Sequence, residues 1–463
     1  MPSRIIRQRR RIFSAGAGVF LLGIGLVCPA CALGPHEILV LANTNSPRSM
    51  ELARDYAALR HVPAVNLVAL DLPNTPPLDI SPADFNKTIR DPARKAIKER
   101  GLDDHILAWV YSVDFPIRAT STPPLSLQGI TFMRGEVPAS DIITRGAYAS
   151  PLFAGPATPG MSGFPSQSLD VQREWIGPAI PVPSMMLGFM GTNGNTREEI
   201  WSCLNTGVAS DGTAPQGTVY IVTNTDVRTL CRAWQFAPVV RELGTLDLTA
   251  TLTNGYPASG IAGLMSGAAD IPMPPAGPPS PFLPGAFAEH LTSFGAAFDY
   301  PGQTKITSWI RAGATASSGS VAEPLSVWGK FPHARIFSHQ ASGCTLLESV
   351  FQSVRCPLQL LVIGEPLARP WAPASTLSLQ GLESGVLDKR ITVTAVLHSR
   401  RNEVFPRYLF LLDGRTHRNL TKSPETVLDP VTLPRGRHVL VVVAYRTGSV
   451  RSQVFAEMPF EVK

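Results

Sequence analysis

Charge is scarce in this sequence, and cysteine is scarcer. Only 16% of the 463 residues are Asp, Glu, Lys or Arg, and six are cysteine. Beyond residue 32 four cysteines remain, Cys203, Cys231, Cys344 and Cys356, and no two have the close C-x-x-C spacing of a zinc or thioredoxin site. The usual phosphate-binding glycine patterns are also missing. No G-x-G-x-x-G follows a strand and no G-x-x-x-x-G-K-[ST] occurs, which removes the standard dinucleotide and P-loop sites. No G-x-S-x-G elbow exists, against an α/β-hydrolase esterase or lipase. H-E-x-x-H is absent and the nine histidines are scattered, so neither a metal nor a cofactor is implied.

What is present begins with an export signal. Arg4, Arg7, Arg9, Arg10 and Arg11 precede the apolar run IFSAGAGVFLLGIGLV, and Ala30-Cys31-Ala32 fits an A-x-A cleavage site. The apolar run is short for a membrane span, which takes about 20 residues. Residues 1–32 are therefore expected to be a signal peptide, with an uncleaved anchor as the competing reading and the only route to a membrane. The formal charge of +6 loses five arginines and no acid with this segment, leaving +1. No basic stripe remains, which excludes nucleic acid as a partner. The expected destination is the periplasm, cell envelope or exterior. There disulfides can form, as Cys203–Cys231 and Cys344–Cys356, or the four can stay buried thiols.

The chain from Glu37 alternates strand and helix. EILVLAN is a continuous apolar run suited to a strand covered on both faces. SPRSMELARDYAALRHV is helical, with Ser46 as cap and Pro47 in the first turn. VNLVAL is a second strand, the segment from Ser81 to Gly101 a second helix, and HILAWVYS a third strand. Such a series implies a parallel, helix-flanked sheet. A loop-rich stretch follows from Asp114 to about Glu199. The pattern resumes with GTVYIVTN, a helix through DVRTLCRAWQFAPVVREL, and LTATLTN. IPMPPAGPPSPFLPG (271–285) is expected to be loop. TKITSWIRAG and ASGCTLLESVFQSV are helical, and LQLLVIG is a last buried strand. After Pro373 six or seven short alternating runs in about ninety residues indicate an antiparallel β-sandwich of immunoglobulin-like type.

Four places could carry chemistry. Asp114 and Arg118, at the exit of the third strand, lie where open α/β sheets bind ligands; the competing reading is that the two pair with each other. His290, in AEHLTSFGA, is the best acid/base candidate, since imidazole titrates near neutrality, or else it is a surface or loop histidine. RAGATASSGSVAEP offers Thr315 or Ser317 as nucleophile and Glu323 to orient the base, or else a packed small-residue turn. In GEPLARPWAP, Glu365, Arg369 and a buried Trp371 read as a pin at the junction with the sandwich.

The motif order resembles two groups of proteins. Asn43 with SPRSMELARDYAALRHVP, LTSFGA, RAGATASSGSVAEP and GEPLARPWAP are similar to the conserved blocks of an uncharacterised family of exported bacterial proteins. More distantly, the layout resembles gingipain-like cysteine peptidases of the caspase fold. In those a strand leads to a GHG histidine, the next to an Ala-Cys nucleophile, then come a helix, a GDP strand end and an immunoglobulin-like domain. The resemblance implies a caspase/gingipain-like α/β domain over 33–373 and an immunoglobulin-like domain over 374–463. It places LTSFGA at the histidine position, AGATAS at the cysteine position and Glu365 at that of the aspartate. With thiol and imidazole both missing there, it implies a non-catalytic or divergent binder of a protein, peptide or small molecule. The alternative is a hydrolase built on Ser317 or Thr315, His290 and Glu323.

Overall fold

The computed structural model describes residues 32–274, 277, 279–383, 385–399 and 402–463. The expected signal peptide lies outside them except for Ala32. Among the described residues no helix is long and apolar enough to cross a membrane.

Ten strands form one sheet, flanked by helices. The first half holds β1 (Ile38–Asn43), β2 (Leu67–Leu70), β3 (Ala108–Tyr111) and β4 (Ser184–Met186). The second holds β5 (Thr218–Val222), β6 (Thr249–Thr253), β7 (Ile261–Gly267), β8 (Phe282–Leu291) and β9 (Ala316–Ser320). The last strand, β10 (Leu360–Gly364), lies between the halves, giving the order β2-β1-β3-β4-β10-β9-β8-β7-β5-β6. Every pairing is parallel except β9 with β10. Each half therefore has its strands in the order second, first, third, fourth, fifth, and the halves meet antiparallel, fifth strand against fifth strand. The fifth strand of the first half is β10, the last of the ten in the chain.

β1 shows why a continuous apolar run was needed. Val40 and Ala42 belong to one core layer, and Leu39 and Leu41 to another on the opposite face. Helices cover both faces: α1 (Pro47–Arg60), α2 (Asp91–Glu99), α3 (Arg197–Ser210), α4 (Ile306–Arg311), α5 (Ile336–Ala341) and α6 (Leu346–Ser353). The Ser46 side chain accepts from Ser49 N at the start of α1, and Thr345 and Glu348 form a reciprocal capping box at the start of α6.

Three expectations are corrected. RAGATASSGSVAEP is not a turn, because its centre is strand β9, buried at every position. A Cβ on Gly319 would lie 2.7 Å from the Ile306 side chain and 3.0 Å from the Gly295 backbone, so close packing selects small residues there. The proline-rich segment ends in strand, since β8 begins at Phe282 and includes Pro284 and Gly285. Finally, ASGCTLLESVFQSV lies across two helices, α5 ending at Ala341 and α6 starting at Leu346.

Residues 376–462 form separate, mostly antiparallel sheets. β11 (Thr376–Gln380), β13 (Ile391–His398) and β16 (Glu425–Leu428) make one, in the order β11-β13-β16. β12 (Val386–Leu387), β14 (Arg407–Leu412), β15 (Arg415–Thr421), β17 (Gly436–Tyr445) and β18 (Gln453–Val462) make the other, in the order β12-β18-β17-β14-β15. The two share a core in which Leu377 and Val393 meet Phe410, Val442 and Val454.

Candidate functional site

The second half-sheet delivers the C-terminal ends of β8 and β9 to one edge, where His290, LTSFGA and SGSVAEP come together in the fold. His290 is fully buried on β8. Its Nδ1 accepts a hydrogen bond from Trp309 Nε1 on α4 at 2.8 Å, with the rings 5.6 Å apart. Burial, then the Arg232 charge, push its pKa down to about 3, so the imidazole is neutral across the physiological range. It is thus neither a surface nor a loop histidine. Next to it, Glu289 points to the other face, where its carboxylate lies 2.6 Å from Arg232, both side chains fully buried. Burial raises the Glu289 pKa, and Arg232 opposes that shift.

The hydroxyls do not assemble around His290. Thr315 Oγ1 accepts from Gly285 N at 2.9 Å. Ser317 is paired across the sheet with Ala288 and Ile363, and its hydroxyl is buried without a partner, as is that of Ser318. Glu323 lies outside the strand on the surface, accepting from Leu325 N at 2.8 Å. Among the described residues no hydrogen bond joins His290, Thr315, Ser317 and Glu323. General-base catalysis requires heavy atoms about 2.6–3.2 Å apart, directly or through one water, and a substrate path to them.

The LTSFGA loop is locked onto the residues that follow it. Thr292 Oγ1 and Phe294 N both donate to Gln303 Oε1, and the Phe294 and Tyr300 rings stack 3.8 Å apart. A shallow cleft of about 280 Å³ lies beside this loop, lined by Arg118, Phe294, Asp299, Tyr300, Val321 and Glu323. Arg118 is held by Asp79 and Asp299, each through two hydrogen bonds, and those hydrogen bonds, Asp79 first, raise its pKa.

Arg118 therefore does not pair with Asp114. Asp114 sits at the opposite end of the sheet with φ 61°, accepting from Arg48 Nε and Nη2, both at 2.6 Å, and from Ser46 Oγ. Asp114 lies beside the cap of α1, Arg118 beside β8's exit, and each is already neutralised.

The pin at GEPLARPWAP is built differently from expectation. Glu365 pairs with Arg60, not Arg369: Arg60 Nε and Nη2 reach its two oxygens at 2.9 and 2.6 Å, and Tyr56 Oη donates at 2.9 Å. Arg369 Nε reaches Asp211, which also pairs with Arg60. Trp371 is only half-buried and lines a cleft of about 820 Å³ between the ten-stranded sheet body and the C-terminal sheets, with Glu242, Arg335, Glu403 and Arg446. Asp211 follows α3, far along the chain from both arginines, so no local pattern in the sequence links them.

All four cysteines are free, so neither expected disulfide forms. Cys344 is fully buried, and burial followed by Glu348 pushes its thiol pKa well up, so it holds no ready thiolate. Among the described residues no cluster of His, Cys, Asp and Glu could hold a metal ion. Neither a scan against models of protein families nor a search of curated proteins gives a match for this chain.

Proposed function

We propose that this protein is an exported, non-catalytic relative of the gingipain-like peptidases, acting at or outside the cell envelope by binding a protein, peptide or small molecule. The observation that carries the reading is His290, buried against Trp309 and away from every candidate hydroxyl's hydrogen bonds. A nucleophile needs a base that can take its proton. At the positions where the peptidases place imidazole and thiolate, LTSFGA and AGATAS supply neither group. The C-terminal strand order, three strands against five with β12 paired in parallel to β18, favours an immunoglobulin-like domain, and the 820 Å³ cleft beside it offers a surface for recognition.

The test is labelling of the purified protein with a fluorophosphonate and with a thiol-directed peptidyl chloromethyl ketone. Neither should react. Fluorophosphonate labelling that Ser317→Ala abolishes would overturn the reading in favour of a serine hydrolase.

A further inference from the structure

A groove of about 900 Å³ runs beside the first half-sheet, far from the β8–β9 edge, within the roughly 300–1,000 Å³ typical of small-molecule sites. Its floor is apolar, made by Ile106, Leu107, Trp109, Ile180 and Val182. One end is crowded with guanidinium groups. Arg90 and Arg94 are one helical turn apart, so they share a face. Arg90 closes a wide π-type turn, Asn86–Arg90, just before α2, and such turns are frequent at functional sites.

Arg134 faces them from a neighbouring turn in a left-handed conformation, φ 57°, which a non-glycine residue adopts at a cost. The next residue, Gly135 (φ 88°), explains the approach. A Cβ there would strike Asn86 Oδ1 and lie 2.8 Å from Arg90 Cδ, so the turn presses directly on the π segment.

Three carboxylates line the groove, Asp103, Asp104 and Glu174, but among the described residues none of them forms an ion pair with these three guanidiniums. Arg94 makes no hydrogen bond or ion pair among the described residues, and the Nε atoms of Arg90 and Arg134 are buried without a partner. Arg90 touches Asp91, which is largely in solvent, and Arg134 Nη2 donates to Pro178 O. Burial first, then Arg94 and Arg90, lower the Arg134 pKa, with Glu136 a weak opposing charge. Asp104 is bound to His105 and Thr416 and Glu174 to Arg451, which leaves Asp103 as the one lining carboxylate with no ion pair among the described residues. Like charges converging over an apolar floor match a ligand with an anionic head and an aliphatic body.

We propose that this groove binds a long-chain carboxylate, its head among Arg90, Arg94 and Arg134 and its chain along Ile106, Trp109 and Val182. The site stands whether or not the β8–β9 edge is catalytic. Titration calorimetry of the full chain with dodecanoate, decanol and acetate tests both halves of the recognition. Dodecanoate should bind, decanol at least ten-fold more weakly, and acetate not measurably. Arg94→Gln, at an exposed helix position that leaves folding intact, should weaken dodecanoate about ten-fold, and Arg134→Gln at least as much. Failure of dodecanoate to bind, equal binding of decanol, or indifference to Arg94→Gln would each overturn the proposal.

Discussion

On the two sides of the sheet's central seam, the exit of β10 and the interior of β8 and β9 treat several buried polar groups differently. Beyond β10, two carboxylates and two guanidiniums alternate: Glu365, Arg60, Asp211 and Arg369, with Tyr56 completing the Glu365 shell. α3 comes close enough to help because Gly207 lacks a side chain, since a Cβ there would lie 2.8 Å from those of Glu365. On the β8–β9 side, Ser317 and Ser318 have no partner and His290 is held neutral. The lesson concerns residue type against environment. Glu365 stands at a strand end, and its bonds tie helix, strand and junction together. The serines and histidine have catalytic chemistry in name, but they are sealed in the core, where His290 is bound to Trp309 and no hydrogen bond joins it to either serine.

The contrast can be broken most severely at Glu365. Glu365→Ala leaves Arg60 buried with Asp211 alone, and removing one partner from a buried ion pair costs roughly 3–5 kcal/mol. Urea denaturation should show that loss as a lower midpoint. Acid provides a second, smaller test at His290. His290 has its folded pKa pushed down to about 3, whereas its unfolded value is near 6.5. Its contribution is therefore fully present above pH 6.5 and is lost progressively as the pH falls from 6.5 towards 3. His290→Gln keeps an acceptor for Trp309 but does not titrate, so the stability difference between pH 7 and pH 4 should be smaller in the variant than in the wild type. The smallest effect is at Ser317. Removing an unpartnered buried hydroxyl relieves a desolvation cost, so Ser317→Ala should lie within about 1 kcal/mol of wild type, on the stabilising side. A thermal midpoint that fell by many degrees would reveal a hidden partner for that hydroxyl.

Legibility followed the kind of force involved. β1, β2 and β3 could be read because long apolar runs between capped helices have few alternatives, and Ser46 caps α1 as its position implied. β9 could not, because Ala-Ser-Ser-Gly-Ser has poor strand propensity and becomes strand only through the pressure of Ile306 and Gly295. Chain order alone places the candidate residues at a sheet edge. Their partners come from distant segments: Trp309 for His290, Asp79 and Asp299 for Arg118, Arg48 for Asp114. Pairing across such separations leaves no local signal. The arginines at 90 and 94 had one, the helical i,i+4 spacing, but Arg134 reaches them only through a tertiary turn.

The late arrival of β10 has a consequence for how the chain matures. β4 ends at Met186, and the strand that must lie beside it begins at Leu360. Until that last strand is in place, both half-sheets carry an open edge at their centre, with β9 on one side and β4 on the other. Closing so long a loop is slow, and unpaired edges invite association with other chains. A chain interrupted after β9 would therefore keep two unsealed seams through its middle, and the short LLVIG segment acts as the zip that joins two otherwise separate sheets into one body.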